Sequence, residues 1–475
     1  MLHQIRRSTN PSPAGRPARR DFLKGSAAAG VASVRQMPPS GVSLTRPNIL
    51  YLHSHDTGRY IQPYGHAVPT PNLHRMAEQG VLFRQAFDTA PTCSPSRAAL
   101  LTGQCPHSCG MLGLVNHGFT LAKPEHHIVH TLKKAGYLTA VAGVQHILMQ
   151  PELAGYDQTL KTGGGSATMT SAAVDFLKQV DRQPFFFAAG FSETHRNFPK
   201  PGPEEDPRYI LPPAPIADTP ETRLDMAAYK ASARVLDTAI GEILRALEAS
   251  GLAGNTIVIY STDHGVSFPQ MKVDLRDAGT GVSLLMRGPG DFSGGKVIDA
   301  MVSHLDIFPT LCDQLEIERP AWLEGKSMMP LLRGQTKEIN DEVFAEVNYH
   351  AVYEPKRAVR TRRWKYIRHY GDWHKPVVSN VDDCPSKDLW VAHGWRDRTV
   401  DREQLYDLMF DPHEAHNVIG EASLRAVADD MRGRLDRWMK ATRDPLLEGP
   451  VKAPSGAKLN RPDQLSFTEP RYTVP

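Results

Sequence analysis

Asn48-Ile49-Leu50-Tyr51-Leu52, running into His55-Asp56, is the stretch on which the fold turns. Five residues with scarcely a polar break predict a β-strand covered on both faces, as strands are in parallel sheets packed between helices. Similar runs return at Leu138–Ala142, Phe185–Ala189 and Thr256–Tyr260, and Val81–Phe87 reads as a further strand. Helical periodicity lies between them: from Thr70-Pro71 to Gly80, from Ile128 to Ala135 with Gly136 closing it, and from about Glu221 to Ser250. A threonine before proline at the start and a glycine after the last turn are ordinary helix boundaries. Strands alternating with helices predict an α/β fold, a large, mostly parallel mixed sheet sandwiched by helices.

Ligands of such sheets sit beyond the carboxyl ends of the strands. Asp56 follows the first strand, His146 the Leu138–Ala142 strand, His195 the Phe185–Ala189 strand and Asp263 the Thr256–Tyr260 strand. Four reactive side chains are thereby delivered to one edge. The run Cys93 to Gly103, CSPSRAALLTG, adds a thiol at a helix start with Arg97 four places on. Unpaired N–H groups at a helix start attract anions, and arginine offers a forked donor to a tetrahedral oxyanion. A lone cysteine is ordinarily a small buried residue. That reading leaves Arg97 and Thr102-Gly103 without a purpose.

CSPSRAALLTG resembles the signature of the type I sulfatases, C-x-P-S-R-x-x-x-L-T-G, and matches it at every fixed position. The subsequent Pro106-His107, Gly110-Met111 and Gly113-Leu114 are most similar to the heparan N-sulfatase branch of that family. The resemblance implies an alkaline-phosphatase-like fold and the hydrolysis of sulfate esters or N-sulfates of carbohydrate, of glycosaminoglycan type. It implies that a formylglycine-generating enzyme converts Cys93 to formylglycine, whose hydrate attacks sulfur while Arg97 holds it. Asp56 and Asp263-His264, the latter in a D-[N/H]-G element, would bind one divalent cation, usually calcium, with Cys93 and His55 as further candidate ligands. Lys272, in an F-P-x-x-K element, would bind the sulfate. His146 and His195 resemble the family's site histidines, and a histidine pKa near working pH suits proton transfer to a leaving group.

Three positions depart from the family pattern: His55 stands where aspartate is usual, His264 where asparagine is frequent, and Val144 where a lysine is usual. Calcium prefers hard oxygen donors, so two imidazoles make a softer site. His55 is therefore a ligand, a group that orients the ligands, or the mark of another metal. Loss of the lysine removes a charge-assisted contact worth about 1.5–3 kcal/mol.

The 55 basic and 52 acidic side chains leave a net charge of +3, so anion selectivity must be local and nucleic acid is not an expected partner. No run of eighteen apolar residues predicts a membrane span. Five cysteines are too few for a disulfide scaffold, and Cys105 and Cys109 read as structural. Arg19-Arg20-Asp21-Phe22-Leu23-Lys24, followed by the mildly apolar Gly25–Val34, resembles a twin-arginine signal and predicts export to the periplasm by that machinery. The expected organisation is a twin-arginine-like signal or disordered segment over 1–45, the α/β domain carrying the site over 46–334, a smaller α+β domain over 335–445 and an extended tail over 446–475. The basic stretch Arg357, Arg360, Arg362, Arg363 and Lys365 reads as the solvated face of a sheet, with polyanion contact as the alternative. Two rival functions remain. One is a phosphate or phosphonate ester hydrolase of the same superfamily, which usually needs a second metal. The other is a catalytically impaired sugar-binding relative, against which the retention of Cys93, Arg97, His146, His195, Asp263 and Lys272 together argues.

Overall fold

Every residue of β1 (Asn48–Ser54) is buried, as its apolar run requires. The structure is a computed structural model and describes residues 46–161, 165–180 and 184–475. The twin-arginine stretch lies outside the described residues. Eight further strands join β1 in the main sheet: β2 (Val81–Phe87), β3 (Leu138–Gly143), β4 (Gln158–Thr159), β5 (Phe185–Gly190), β6 (Thr256–Thr262), β7 (Gly281–Val282), β8 (Leu284–Arg287) and β9 (Lys296–Ser303). Their order is β4-β3-β5-β1-β6-β8-β2-β7, with β9 beside β2. The run from β4 to β6 is parallel, whereas β8 is antiparallel to both β6 and β2. The large mixed, mostly parallel sheet is the expected fold.

Successive residues of these strands feed two different cores. Ile49, Tyr51, Phe186, Ala188, Ile257 and Ile259 pack with Ala98, Val129 and Leu132 from helices on one face. Leu50, Leu52, Phe185, Phe187, Val258 and Tyr260 pack with Leu73, Met76, Phe176 and Ile240 from helices on the other. Side chains alternate across a strand, so a sheet covered twice needs an apolar residue at every position. Each large side chain so buried contributes about 1.5–3 kcal/mol. Register then sets the site: His53 pairs with Gly190 of β5 and Ser261 of β6, and Ser54 with Thr262. Three strands therefore end level, with the residues after them side by side. The helices Pro71–Gln79, Ile128–Lys134 and Pro220–Ala249 fall where periodicity placed them. Thr70 occupies the N-cap position without capping; its hydroxyl accepts the Gln62 N–H at 3.0 Å instead.

A second, antiparallel sheet comes next, in the order β10 (Glu342–Tyr349), β11 (Tyr353–Thr361), β12 (Trp364–His369), β13 (Glu403–Asp407). The helix Arg425–Ala441 packs Ala428, Met431, Leu435 and Met439 onto Val359, Tyr366 and Leu405. The opposite face, with Ala358, Ile367 and Tyr406, lies on Val273 and Leu275. Arg357, Arg360 and Lys365 of the basic stretch are therefore not on a solvated face. Arg357 is fully buried against Asp444 at 2.5 and 2.9 Å, and Arg360 and Lys365 both reach Asp277, at 3.0 and 2.8 Å. Arg362 and Arg363 stay near the surface, paired with Glu338 and Asp407. Cations entered this sheet because acids from distant segments neutralise them when both faces are covered. The last residues lie against the body through buried Val451, Ala457 and Leu459. All five cysteines are free and buried, and among the described residues no helix is long and apolar enough to cross a membrane.

Candidate active site

Asp56 leaves β1 with φ +52°, the left-handed region that aspartate enters more readily than most residues. Asp263, directly after β6, holds this sharp exit. Its Oδ1 accepts the backbone N–H of Asp56 at 2.8 Å and of His264 at 3.0 Å. Cys93 opens the helix Cys93–Thr102, which is buried along its whole length behind β2. The packing brings Sγ of Cys93 to 3.3 Å from His264 Nε2 and 4.0 Å from Asp56 Oδ1.

Around that contact the expected ligands converge. His55 Nδ1 lies 3.0 Å from Asp56 Oδ1 and 3.3 Å from Asp263 Oδ2. His264 Nε2 lies 3.3 Å from Asp56 Oδ1 and 3.8 Å from Asp263 Oδ2. One donor atom from each of His55, Asp56, Cys93 and Asp263 falls within 4.8 Å of all the others. His264 Nδ1 donates to the Gly265 carbonyl at 3.0 Å, so the lone pair on Nε2 points into the cluster. These residues fit a divalent cation.

Charge in the cluster is shared tightly. Burial alone would raise the Asp56 carboxyl, yet Lys272, His195 and His264 hold it well below the usual carboxylate range. Asp263 is likewise held low, its burial outweighed by His264, Arg97 and His55. Burial drives His55 down to about 4, leaving it neutral at ordinary pH. Burial also pushes the Cys93 thiol well above its usual range, so the unmodified side chain is not a thiolate.

Arg97 turns its guanidinium to the Asp263 carboxylate. It donates to Asp263 Oδ2 from Nε at 3.1 Å and Nη2 at 2.9 Å, to the Ser54 carbonyl at 3.0 Å and to His53. Among the described residues it makes no hydrogen bond to Cys93. Its forked guanidinium meets a buried carboxylate that needs a partner, and that pairing wins.

Lys272, only 2% exposed, has all three protons committed. Nζ donates to Asp382 Oδ2 at 2.7 Å, Asp56 Oδ2 at 2.9 Å and His195 Nε2 at 3.3 Å. Burial would lower its pKa, but Asp382 and Asp56 raise it well above the ordinary lysine value. Asp382 also accepts from Ser267 Oγ at 2.5 Å. Reading the sequence missed Asp382: Asp382-Asp383 sits in no motif, 110 residues beyond Lys272, and looks like an ordinary loop pair. We expect Asp382→Asn to lower kcat roughly 10–100-fold with little change in KM, because a charge-assisted bond worth about 1.5–3 kcal/mol no longer aims the ammonium. Steady-state kinetics beside a thermal melt would check this; wild-type kcat in the variant would remove Asp382 as a positioning residue.

His195 and His146 line an open cleft of about 690 Å³ with His55, Asn116, Val144 and Phe198. The His195 ring stands edge-on to His55 at 4.8 Å, and its Nδ1 donates to the Arg196 carbonyl at 2.5 Å. His146 lies farther out, ring to ring 5.8 Å from His55, with Nε2 3.4 Å from Asn116 Oδ1. The cleft's Arg196 is held by Asp225 at 2.7 and 3.0 Å and does not replace the lysine absent at Val144. A further cavity of about 710 Å³, beside Trp390, Trp395 and His369, shares only Lys272 with the cluster.

Known proteins share both the sequence pattern and the fold. The family profile described as Sulfatase matches residues 47–317, and that described as N-sulphoglucosamine sulphohydrolase, C-terminal, matches residues 273–387. The chain is 28% identical to the N-sulphoglucosamine sulphohydrolase of Homo sapiens, over 86% of this chain and 93% of that protein. It is also 28% identical to an ulvan-active sulfatase of Formosa agariphila, over 90% of this chain and 87% of that one. A solved structure of a protein in complex with its substrate D-glucosamine-2-N,6-O-disulfate shares the fold at 20% identity and a TM-score of 0.68, over 84% of this chain and 99% of that one. The Sulfatase profile spans more than half of the sequence and contains the helix of Cys93, both carboxylates and Lys272, so the chain belongs to the sulfatase family and is a sulfuric ester hydrolase.

Proposed function

We propose that this protein removes sulfate from a glycosaminoglycan-type sugar, a sulfated amino sugar or uronate, with residue 93 as nucleophile in its formylglycine form. The observation that carries the proposal is the meeting of the Cys93 side chain, at the first position of its helix, with His264 and the Asp56 and Asp263 carboxylates. The human relative and the substrate of the solved structure support the sugar class. Asp56, Asp263, His264 and residue 93 would hold a divalent cation, which when bound polarises the sulfuryl oxygens.

The protein's own groups do the rest. Arg97 fixes Asp263, and through it the exit of β1 that carries Asp56. Lys272, aimed by Asp382, presents its charge beside Asp56 and His195. His195, its ring fixed through Nδ1, is the group placed to protonate the departing alcohol or amine, which requires Nε2 to leave the Lys272 ammonium and take up a proton. His146 borders the cleft and donates from Nε2 to Asn116 Oδ1; burial keeps its pKa well below the usual histidine value, so its unpartnered Nδ1 can accept a hydrogen bond.

Lys272 also favours sulfate over a phosphate monoester. Asp56, His195 and Asp382 form a second group with metal-ligand spacing, and the Lys272 ammonium sits among them. The fixed ammonium fills the middle of that group and leaves it no place for a second ion. We further propose that 46–334 and 335–445 act as one catalytic body, the latter supplying Asp382, and that Arg19-Arg20 directs export to the periplasm by the twin-arginine route.

The test is co-expression with a formylglycine-generating enzyme, mass spectrometry of the peptide holding residue 93, and assay of sulfated disaccharides beside phosphate monoesters. Sulfate release should rise in proportion to the formylglycine fraction. Full turnover by protein whose residue 93 is still a thiol would end the proposal.

A further inference from the structure

We propose that the cluster selects a borderline transition ion of the zinc type over calcium, with His55 and His264 as its nitrogen ligands. This rests on the proposal that the cluster holds a cation, and concerns which one.

The oxygen supply is short. Of the four carboxylate oxygens, Asp263 Oδ1 is taken by the N–H groups of Asp56 and His264, and Asp56 Oδ2 by Lys272. Only Asp56 Oδ1 and Asp263 Oδ2 face the cluster, and Arg97 already donates twice to the latter. Calcium takes about six to eight oxygens and depends on their charge. Here two side-chain oxygens remain, and a lysine and an arginine ride on their carboxylates.

The nitrogen supply is ready-made. His264 presents Nε2 because the Gly265 carbonyl holds Nδ1–H. His55 Nδ1 lies between both carboxylates and donates to Asp56 Oδ1 at 3.0 Å, a proton that a bound cation would displace; its backbone is pinned, since its N–H donates to Glu193 O at 2.9 Å and its carbonyl accepts the Thr194 N–H at 2.6 Å. Both side chains are almost wholly buried, so neither is a solvated ring that happens to pass by. Two imidazoles with two carboxylate oxygens suit zinc and its neighbours, with imidazole affinity rising along the first-row series. The remaining position belongs to residue 93.

Metal-free protein should be titrated by calorimetry with ZnCl2, MnCl2 and CaCl2, and its thermal midpoint tracked with each ion. Cys93→Ser protein is run in parallel, so that a thiolate at residue 93 is not the cause. We expect zinc to bind at least 100-fold more tightly than calcium in both proteins, and Co2+ to give visible bands that shift in His55→Asp and His264→Asn. Those two variants restore oxygen donors and should narrow the preference at least tenfold. Calcium binding as tight as zinc, or a zinc preference lost in Cys93→Ser, would overturn the proposal while leaving a cation site. Failure of every ion to bind to folded protein would overturn the cation reading itself.

Discussion

Cys93→Ala protein should lose sulfate release by roughly 10⁴–10⁶ in kcat/KM, the range seen when a catalytic nucleophile is removed. Nothing else in the cluster offers a replacement attacking atom: the Asp56 and Asp263 carboxylates are engaged by Lys272 and Arg97, and His55 points between them. The variant should still fold, because losing one sulfur from the start of a helix packed on every side opens only a small void. It should also still bind the cation, since both carboxylates and both imidazoles remain. Kinetics on formylglycine-bearing wild type, with circular dichroism and metal content of both proteins, separates these effects. A residual rate within tenfold of wild type would mean that the nucleophile lies elsewhere.

Asp263→Asn should strike both stability and activity. Asp263 Oδ2 receives two bonds from buried Arg97, and Oδ1 fixes the turn after β1. An amide can keep one of these roles, but its NH2 group then faces either a guanidinium or the two backbone N–H groups that the carboxylate oxygen had accepted. Removing one member of a buried ion pair costs about 3–5 kcal/mol, because the other charge is left uncompensated. Denaturant unfolding should show that loss, while cation affinity falls with the missing charge and kcat/KM drops at least 10³-fold. Unchanged unfolding would show that Arg97 finds another partner and that the pair is not what holds the strand ends together. Arg97→Lys offers a comparison, since a point charge cannot make the two parallel bonds of the fork.

The parallel strands were legible because burial on both faces leaves no polar residue to blur the pattern. Asp56, Asp263, His146 and His195 emerged from that, each being a reactive residue just past an apolar run. The signature from Cys93 to Gly103 located the helix start, and the F-P-x-x-K element located Lys272. What stayed hidden was partnership across long separations. Nothing in Cys93-Ser94-Pro95-Ser96-Arg97 says that Arg97 turns to an acid 166 residues away. Asp382 is similar, since its meaning comes from an ammonium brought to it by tertiary packing. The basic residues of β11 and β12 were misread for the same reason. Their alternation tells that two faces exist, but the segments covering those faces, Val273–Asp277 and the helix Arg425–Ala441, lie well outside the window.

The burial of Cys93 bears on how the protein comes to be made. With 2% of its surface reachable, and His264 and Asp56 against it, this side chain admits no second macromolecule once the polypeptide has closed around it. The proposed oxidation of this residue would accordingly have to act on the nascent chain, on an open segment before the sheet and helices assemble. On that proposal, material synthesised without the early step would pass every structural check and yet stay silent, beyond rescue by later treatment of the folded protein.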